Sequence, residues 1–319
     1  MKILILGGTR YLGKRLAEML LDDDHEVTVL SRHPEKAPSG AIVVGSQRDA
    51  GIKKLSGVPF DMVVDFIAFD GQSSADAMDE LSFKIYILIS STWMGRLGKN
   101  LKADQRIGLE DITEKKHLPI VTQQYLLGKL EAEGKVLDRY QKKKDAVILR
   151  LPILWGTHDP TGRIEFYLRR ILDGYPIIRV NGGNNIPSMA WTEDISQAIS
   201  LLIAKRAFGE SPIWEGLTAD QLTTKDIIAT LAEGLGRELS TVDISTEDLQ
   251  KAIPQYLEAE PLWMLEKQWP TGSNIFWHGG LQETRQSNWL KRVSRETVIN
   301  RNLNDEKLRA KEIRFLRNL

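Results

Sequence analysis

The chain has 319 residues, 42% of them hydrophobic, which suits two domains or one large domain with a lobe and excludes general disorder. Lys plus Arg and Asp plus Glu number 43 each, so the formal net charge is zero, without the basic excess of a nucleic-acid binder. Cysteine is absent, which excludes disulfides, thiolate nucleophiles and cysteine-ligated zinc and fits a reducing, cytoplasmic setting.

The opening MKILILGG is basic and then apolar. Its apolar stretch is too short for a signal peptide and glycines follow, so Lys2 to Leu6 reads as a buried strand of a parallel sheet. The turn GGTRYLG comes next, then a helical pattern, KRLAEMLLDDD, with Leu16, Met19 and Leu20 on one face. Glu26 to Leu30, Ala41 to Val44, Met62 to Ala68 and Ile85 to Ser90 read as the second to fifth strands. A long helix covers Val121 to Lys142, and Ala146 to Leu154 reads as a sixth strand. Strands alternating with helices predict an α/β fold with a doubly wound parallel sheet and right-handed crossovers. After Gly156 helices dominate, over Ile164 to Leu172, Thr224 to Leu235 and a charged tail from Asn304 to Leu319. The expected domains are a nucleotide domain over 1–156, rejoined by 187–215, and a substrate lobe over 157–186 and 216–319. No apolar run approaches the roughly 20 residues that span a bilayer.

Gly7-Gly8-Thr9-Arg10-Tyr11-Leu12-Gly13 stands directly between a strand and a helix. Glycine lets the backbone turn tightly and approach a pyrophosphate, and the helix N-terminus offers free N–H groups and a partial positive charge. At the start of a βαβ unit this pattern points to a dinucleotide. An NAD site usually carries an acidic residue about 20 positions onward for the ribose 2′-hydroxyl. Here the second strand ends in Leu30-Ser31-Arg32-His33, with no carboxylate. Arg32 is placed to meet a 2′-phosphate and Arg10 to close over the same end, so NADP is expected, with NAD possible. The alternative is that both arginines are merely solvated.

Tyr125-Leu126-Leu127-Gly128-Lys129 is a YxxxK on a helix, and positions i and i+4 share one face. A cation about 4 Å from the phenol is worth roughly 4 kcal/mol at an effective dielectric of about 20, or about three pKa units. Desolvation opposes this. A tyrosine lowered in this way could act as general base or acid. Ser90-Ser91-Thr92 closes the fifth strand at the carboxyl edge of the sheet, where ligands bind and a hydroxyl could meet a substrate oxygen.

These residues resemble the extended short-chain dehydrogenase/reductases, nearest to the NAD-dependent epimerase/dehydratase group, over about the first 200 residues. GGTRYLG resembles the family's glycine motif, ISST its strand-end hydroxyl motif, and PIVTQQYLLGKLEAE (Pro119 to Glu133) its tyrosine–lysine helix. RLPILWG (Arg150 to Gly156) is similar to the strand that opens toward substrate, and Ala190 to Asp194 to the segment returning to the nucleotide domain. The resemblance implies a Rossmann-type sheet with a smaller, mainly helical C-terminal lobe. It implies Tyr125 as acid/base, Lys129 as the group that binds the nicotinamide ribose and lowers the tyrosine pKa, and Thr92 as its helper. It assigns cofactor contacts to residues 7–13, Ser31, Arg32, Ala68, Lys129 and Pro152.

The chain departs from the family pattern at defined places. Arg10 replaces the middle glycine, which points to the atypical branch. Ser46 stands where an aspartate usually meets the adenine, and the fourth strand ends in Phe66-Ile67-Ala68-Phe69 rather than Leu-Ala-Ala. Pro187 and Ser188 stand where sugar-nucleotide enzymes carry a diphosphate-binding arginine. The five histidines show no metal-ligand spacing, so no catalytic metal is expected. His158, Asp159 and Arg163 follow the sixth strand and are candidates for a substrate cleft, with ordinary loop chemistry the alternative. Trp263, Trp269, Trp277 and Trp289 read as core or lid residues, and the final helix as a solvated cap packing Leu308, Ile313 and Leu316.

The expected function is an NADP-dependent enzyme acting on the carbonyl or secondary alcohol of a small molecule. It would work as a monomer or homodimer, by net reduction or, as an epimerase/dehydratase, by internal return of the hydride. The alternatives are a cofactor-sensing regulator and an RNA binder, since the atypical branch includes chloroplast stem-loop RNA-binding members. The Thr92/Tyr125/Lys129 set argues against the first and zero net charge against the second.

Overall fold

Leu4 and Leu6 of the first strand point one way and Ile3 and Ile5 the other, and all four are wholly buried. Such a strand must lie inside a sheet covered on both faces. The computed structural model describes residues 1–96, 120–265, 267, 272–300 and 302–319. His117, Pro119 and Trp269 lie outside the described residues.

The strands in chain order are β1 (Lys2–Leu6), β2 (Glu26–Ser31), β3 (Ile42–Gly45), β4 (Pro59–Asp65), β5 (Ser82–Ser91) and β6 (Ala146–Leu151). They continue with β7 (Ile153–Trp155), β8 (Ile177–Val180), β9 (Met189–Trp191), β10 (Ile213–Glu215), β11 (Thr241–Ile244) and β12 (Ser273–Asn274). Eight of them form one sheet in the order β12-β10-β6-β5-β4-β1-β2-β3, with every pairing parallel. The order reverses at β1, which pairs with β2 on one side and β4 on the other, Leu6 standing opposite both Leu30 and Asp65. That reversal is a topological switch point, where parallel sheets bind ligands at their carboxyl edge.

The chain divides into two compact units: Met1–Pro152 with Thr192–Leu217 and Gln268–Glu283, and Ile153–Trp191 with Thr218–Lys267 and Thr284–Leu319. In the first, the helices Arg48–Lys54, Gly71–Glu80 and Ile120–Lys143 bury Ile52, Ala77, Met78, Ala132 and Val136 against Leu4, Val63, Tyr86, Leu88 and Ile148. On the other face, Tyr11–Asp22 packs against Thr192–Lys205. Each fully buried Leu or Ile contributes about 1.5–3 kcal/mol. The buried face of the first helix is Leu12, Leu16, Ala17 and Leu20, with Met19 only half-buried.

Four boundaries differ from the sequence reading. The fourth strand ends at Asp65, not Ala68, because the Asp65 carboxylate accepts from the Ile67 N–H and turns the chain. The expected strand over Ala146 to Leu154 stops at Leu151, since Pro152 has no N–H for a ladder, and Ile153–Trp155 pairs instead with Met189–Trp191. Residues 272–283, read as part of the substrate lobe, belong to the first unit, where Ser273–Asn274 adds a two-residue strand beside β10. Residues 187–191 group with the second unit.

The second unit holds two two-stranded parallel sheets, β7 with β9 and β8 with β11, among helices. Trp289 is buried edge-on against Trp155, centroids 6.2 Å apart, whereas Trp277, in the first unit, is 72% exposed. The final helix, Leu303–Leu316, is not a solvated cap on every side. Arg309 and Glu312 are buried and pair with Asp173 and Arg170, while Ile313 and Leu316 are half-buried. Among the described residues no helix is long and apolar enough to cross a membrane.

Candidate active site

The glycine turn is shaped by contacts that only glycine permits. Gly7 has φ +95°, and a Cβ there would lie 2.8 Å from Ile67 Cγ2. A Cβ on Gly13 would stand 2.7 Å from the Gly7 carbonyl oxygen, so the helix start lies directly on the turn. Gly8, Leu12 and Gly13 are buried and serve packing, Gly8 against Ile5 and Val29. Arg10 has extended backbone at the N-cap (φ −141°), which any residue adopts, so an arginine replaces the family's glycine there without strain. The left-handed position is the next one, Tyr11 at φ 45°.

The Ser31 hydroxyl lies 2.7 Å from that of Thr9 and accepts from the His33 N–H at 3.0 Å. These bonds tie the end of β2 to the glycine turn. Gly7, Thr9, Arg10, Ser31, Arg32 and Arg48 line one cavity of about 470 Å³ with no carboxylate in its wall among the described residues. The adjoining helix has no acidic residue in its first turn, leaving its N–H groups and dipole for an anion. A glycine cradle, a helix N-terminus and arginines without a competing carboxylate fit a dinucleotide, with Arg10 and Arg32 the residues that would meet a 2′-phosphate.

Gly128, inside the YxxxK, brings the Ile120–Lys143 helix onto the turn after β4: a Cβ there would overlap the Phe69 carbonyl oxygen. One residue on, the buried Lys129 Nζ donates to the carbonyls of Ala68 and Ile89, both at 2.8 Å. Burial pushes the Lys129 ammonium down to about 8, against the pull of Asp65 and Glu133 and with the push of Arg48. Lys129 Nζ lies 6.0 Å from the centre of the Tyr125 ring. Tyr125 is 40% exposed, and its pKa is raised rather than lowered. Desolvation raises it, Glu133 adds to this, and a hydrogen bond with Ser91 opposes. The expectation that Lys129 lowers Tyr125 is therefore corrected: the two carbonyls hold the ammonium, and the carboxylate on the same helix acts on the phenol.

Thr92 is buried at the end of β5, its N–H bonded to the Leu151 carbonyl at 3.0 Å and its hydroxyl 3.4 Å from the same oxygen. Pro152, also buried, follows at the end of β6. Ser90 donates to Glu133 at 2.7 Å, and Arg150 grips that carboxylate at 3.0 and 2.7 Å. The sequence reading missed Asp65, Arg48, Gly128 and Glu133. An aspartate inside the apolar run MVVDFIA was the visible signal for Asp65.

In the second unit, His158 and Asp159 line a cavity of about 820 Å³ with Glu165 and Arg169. Arg163 lines another of about 480 Å³ with Phe166. Among the described residues no cluster of His, Asp or Glu could hold a metal ion.

Residues 3–83 match the NAD dependent epimerase/dehydratase family. No curated protein matches the sequence. A UDP-glucose 4-epimerase from Thermotoga maritima, solved with UDP-glucose, superposes with a TM-score of 0.68 at 14% identity, over 93% of this chain and 98% of that one. The UDP-glucuronic acid 4-epimerase of Bacillus cereus, in complex with NAD, gives 0.66 at 14% identity over 93% and 96%. A UDP-N-acetylglucosamine 4-epimerase from Methanobrevibacter ruminantium gives 0.67 at 14% identity over 92% and 97%. The chain thus resembles the NAD-dependent epimerase/dehydratase family by sequence over residues 3–83 and shares the fold of UDP-sugar 4-epimerases over nearly its whole length.

Proposed function

We propose that the protein is an NADP-dependent enzyme that transfers hydride at a carbonyl or secondary alcohol of a small molecule, with Tyr125 as acid/base. The observation that carries the reading is the arginine-lined cavity beside the glycine turn, in the same unit as a helix bearing Tyr125 and Lys129. When bound, the dinucleotide supplies or accepts the hydride. Arg10 and Arg32 would hold its 2′-phosphate, and charge-assisted hydrogen bonds of this kind are worth about 1.5–3 kcal/mol each. Lys129, fixed by two carbonyls, has one N–H left that would hold a ribose hydroxyl. Tyr125 gives a proton to the developing alkoxide in reduction and removes it in oxidation. Its raised pKa keeps it a phenol at neutral pH, the form in which it is an acid. Thr92 steadies the same substrate oxygen.

The likeness to UDP-sugar 4-epimerases favours a second reading, a sugar-nucleotide epimerase that returns the hydride to its own substrate. Pro187 and Ser188, standing where the resemblance expects an arginine for the diphosphate, favour smaller carbonyl compounds. A thermal-shift screen in saturating NADPH, followed by assay of NADPH consumption, separates the two. The primary reading expects stabilisation and consumption with small carbonyls. Stabilisation by UDP-sugars alone, with tightly retained dinucleotide and no net consumption, replaces it with the epimerase. RNA binding at physiological salt with no redox or epimerase activity removes both.

A further inference from the structure

Asp65, the last residue of β4, is wholly buried, and its carboxylate accepts four hydrogen bonds from three directions. Arg48 grips it with both terminal nitrogens, at 2.9 and 2.6 Å, and also donates to the Ser73 carbonyl at 2.8 Å. The buried Tyr86 hydroxyl donates at 2.7 Å and the Ile67 N–H at 2.9 Å. Two of these partners open onto the dinucleotide cavity, whose wall includes Arg48, Ile67 and Phe69. The same turn carries the Ala68 carbonyl that holds Lys129. A bidentate guanidinium, a phenol and a backbone N–H on one carboxylate exceed what a strand end needs to satisfy its chain.

We propose that Asp65 is the positioning residue that couples the two ends of the site, holding at once the Arg48 wall of the cavity and the Phe66-to-Phe69 turn that grips Lys129. The coupling to cofactor rests on the dinucleotide reading above; the coupling to Lys129 does not. Asp65 is wholly buried and is not among the residues that line the cavity. It acts through position and through charge, because its carboxylate faces the Lys129 ammonium together with Glu133 from that residue's own helix and Arg48 from the Arg48–Lys54 helix. Arg48 is compensated by Asp65, so the ammonium meets a neutral pair rather than a bare guanidinium. The Arg48 Nε–H stays buried without a partner among the described residues.

The test uses the full chain carrying Asp65→Asn, which keeps size and removes charge, and Asp65→Glu, which keeps charge and shifts it by one methylene. Two readouts are taken: the titration midpoint of Lys129 by NMR of isotope-labelled lysine, assigned with Lys129→Met, and the NADPH dissociation constant by fluorescence. In Asp65→Asn the Lys129 midpoint falls below that of the wild type, since an attracting charge is gone. NADPH binding weakens by about ten-fold or more as the Arg48 wall and the turn lose their anchor. Asp65→Glu weakens NADPH without moving the midpoint down. If Asp65→Asn does not fold, the pair Asp65→Asn/Arg48→Met removes the uncompensated guanidinium, and its NADPH affinity still falls. A folded Asp65→Asn protein with wild-type midpoint and wild-type affinity overturns the proposal, as does wild-type affinity in the double variant. Wild-type protein that binds no dinucleotide sinks the proposed function instead, and the Lys129 midpoint then judges Asp65 alone.

Discussion

Lys129 Nζ donates to the carbonyl of Ala68 at 2.8 Å. This bond joins the middle of a helix to the turn after β4, and it leaves the ammonium buried beside the carboxyl edge of the sheet rather than on the phenol of Tyr125. Burial holds the group down to about 8. Its charge is therefore complete below that pH and lost above it. NADPH affinity falls as pH rises through about 8, and isothermal titration across that range measures it. The sign for folding is opposite. A lysine with a depressed folded-state pKa binds fewer protons than the unfolded chain between about 8 and 10.5, so its contribution to stability improves as pH rises through that window.

Replacing Tyr125 by Phe keeps the ring and removes the proton. Acid–base groups contribute about 10²–10⁴ in rate, so turnover on the substrate found by screening falls by that order while NADPH affinity stays within a few-fold. Lys129→Ala loses turnover and affinity together. Steady-state kinetics with parallel binding titrations separate the two patterns, and full turnover in Tyr125→Phe removes that residue from the mechanism.

Gly7→Ala places a methyl 2.8 Å from Ile67 Cγ2 at a φ of +95°. Strained positions of this kind cost about 1–3 kcal/mol. A lowered denaturation midpoint is expected, with unchanged cooperativity, together with weakened dinucleotide binding because the turn must open. Arg10→Gly, at an extended backbone position, leaves stability nearly unchanged.

In the second unit, Glu260 is buried and hydrogen-bonded by the Tyr167 hydroxyl. Burial lifts its carboxyl to about 7, against the N–H groups of Trp263 and Leu262. The native chain thus binds a proton that the unfolded chain has released between about 4.5 and 7. Stability falls as pH rises through that window, by at most about 3 kcal/mol from this group. Thermal unfolding against pH shows the slope, and Glu260→Gln flattens it.

The first unit was legible where local pattern decides structure. The apolar runs at Lys2–Leu6 and Glu26–Ser31, the glycine turn between them and the YxxxK helix all stand where periodicity and turn chemistry put them. What escaped the sequence depends on distant partners. Asp65 and Arg48 lie 17 positions apart and meet only once β4 and the Arg48–Lys54 helix are packed. Residues 272–283 hold a strand of two residues, too short to show any alternation. The direction of the Tyr125 shift failed for a related reason. Helical spacing brings Lys129 to the same face, but two backbone carbonyls far away in sequence accept hydrogen bonds from its ammonium.

Fluorescence titration of the wild-type protein with NADPH and NADH decides whether the cavity lined by Arg10 and Arg32 holds NADP(H). One arginine on a 2′-phosphate supplies about ten- to a hundred-fold discrimination. NADPH binds tighter than NADH by at least about ten-fold, and the ratio collapses in Arg32→Ala. Tighter binding of NADH, or of neither dinucleotide, contradicts it.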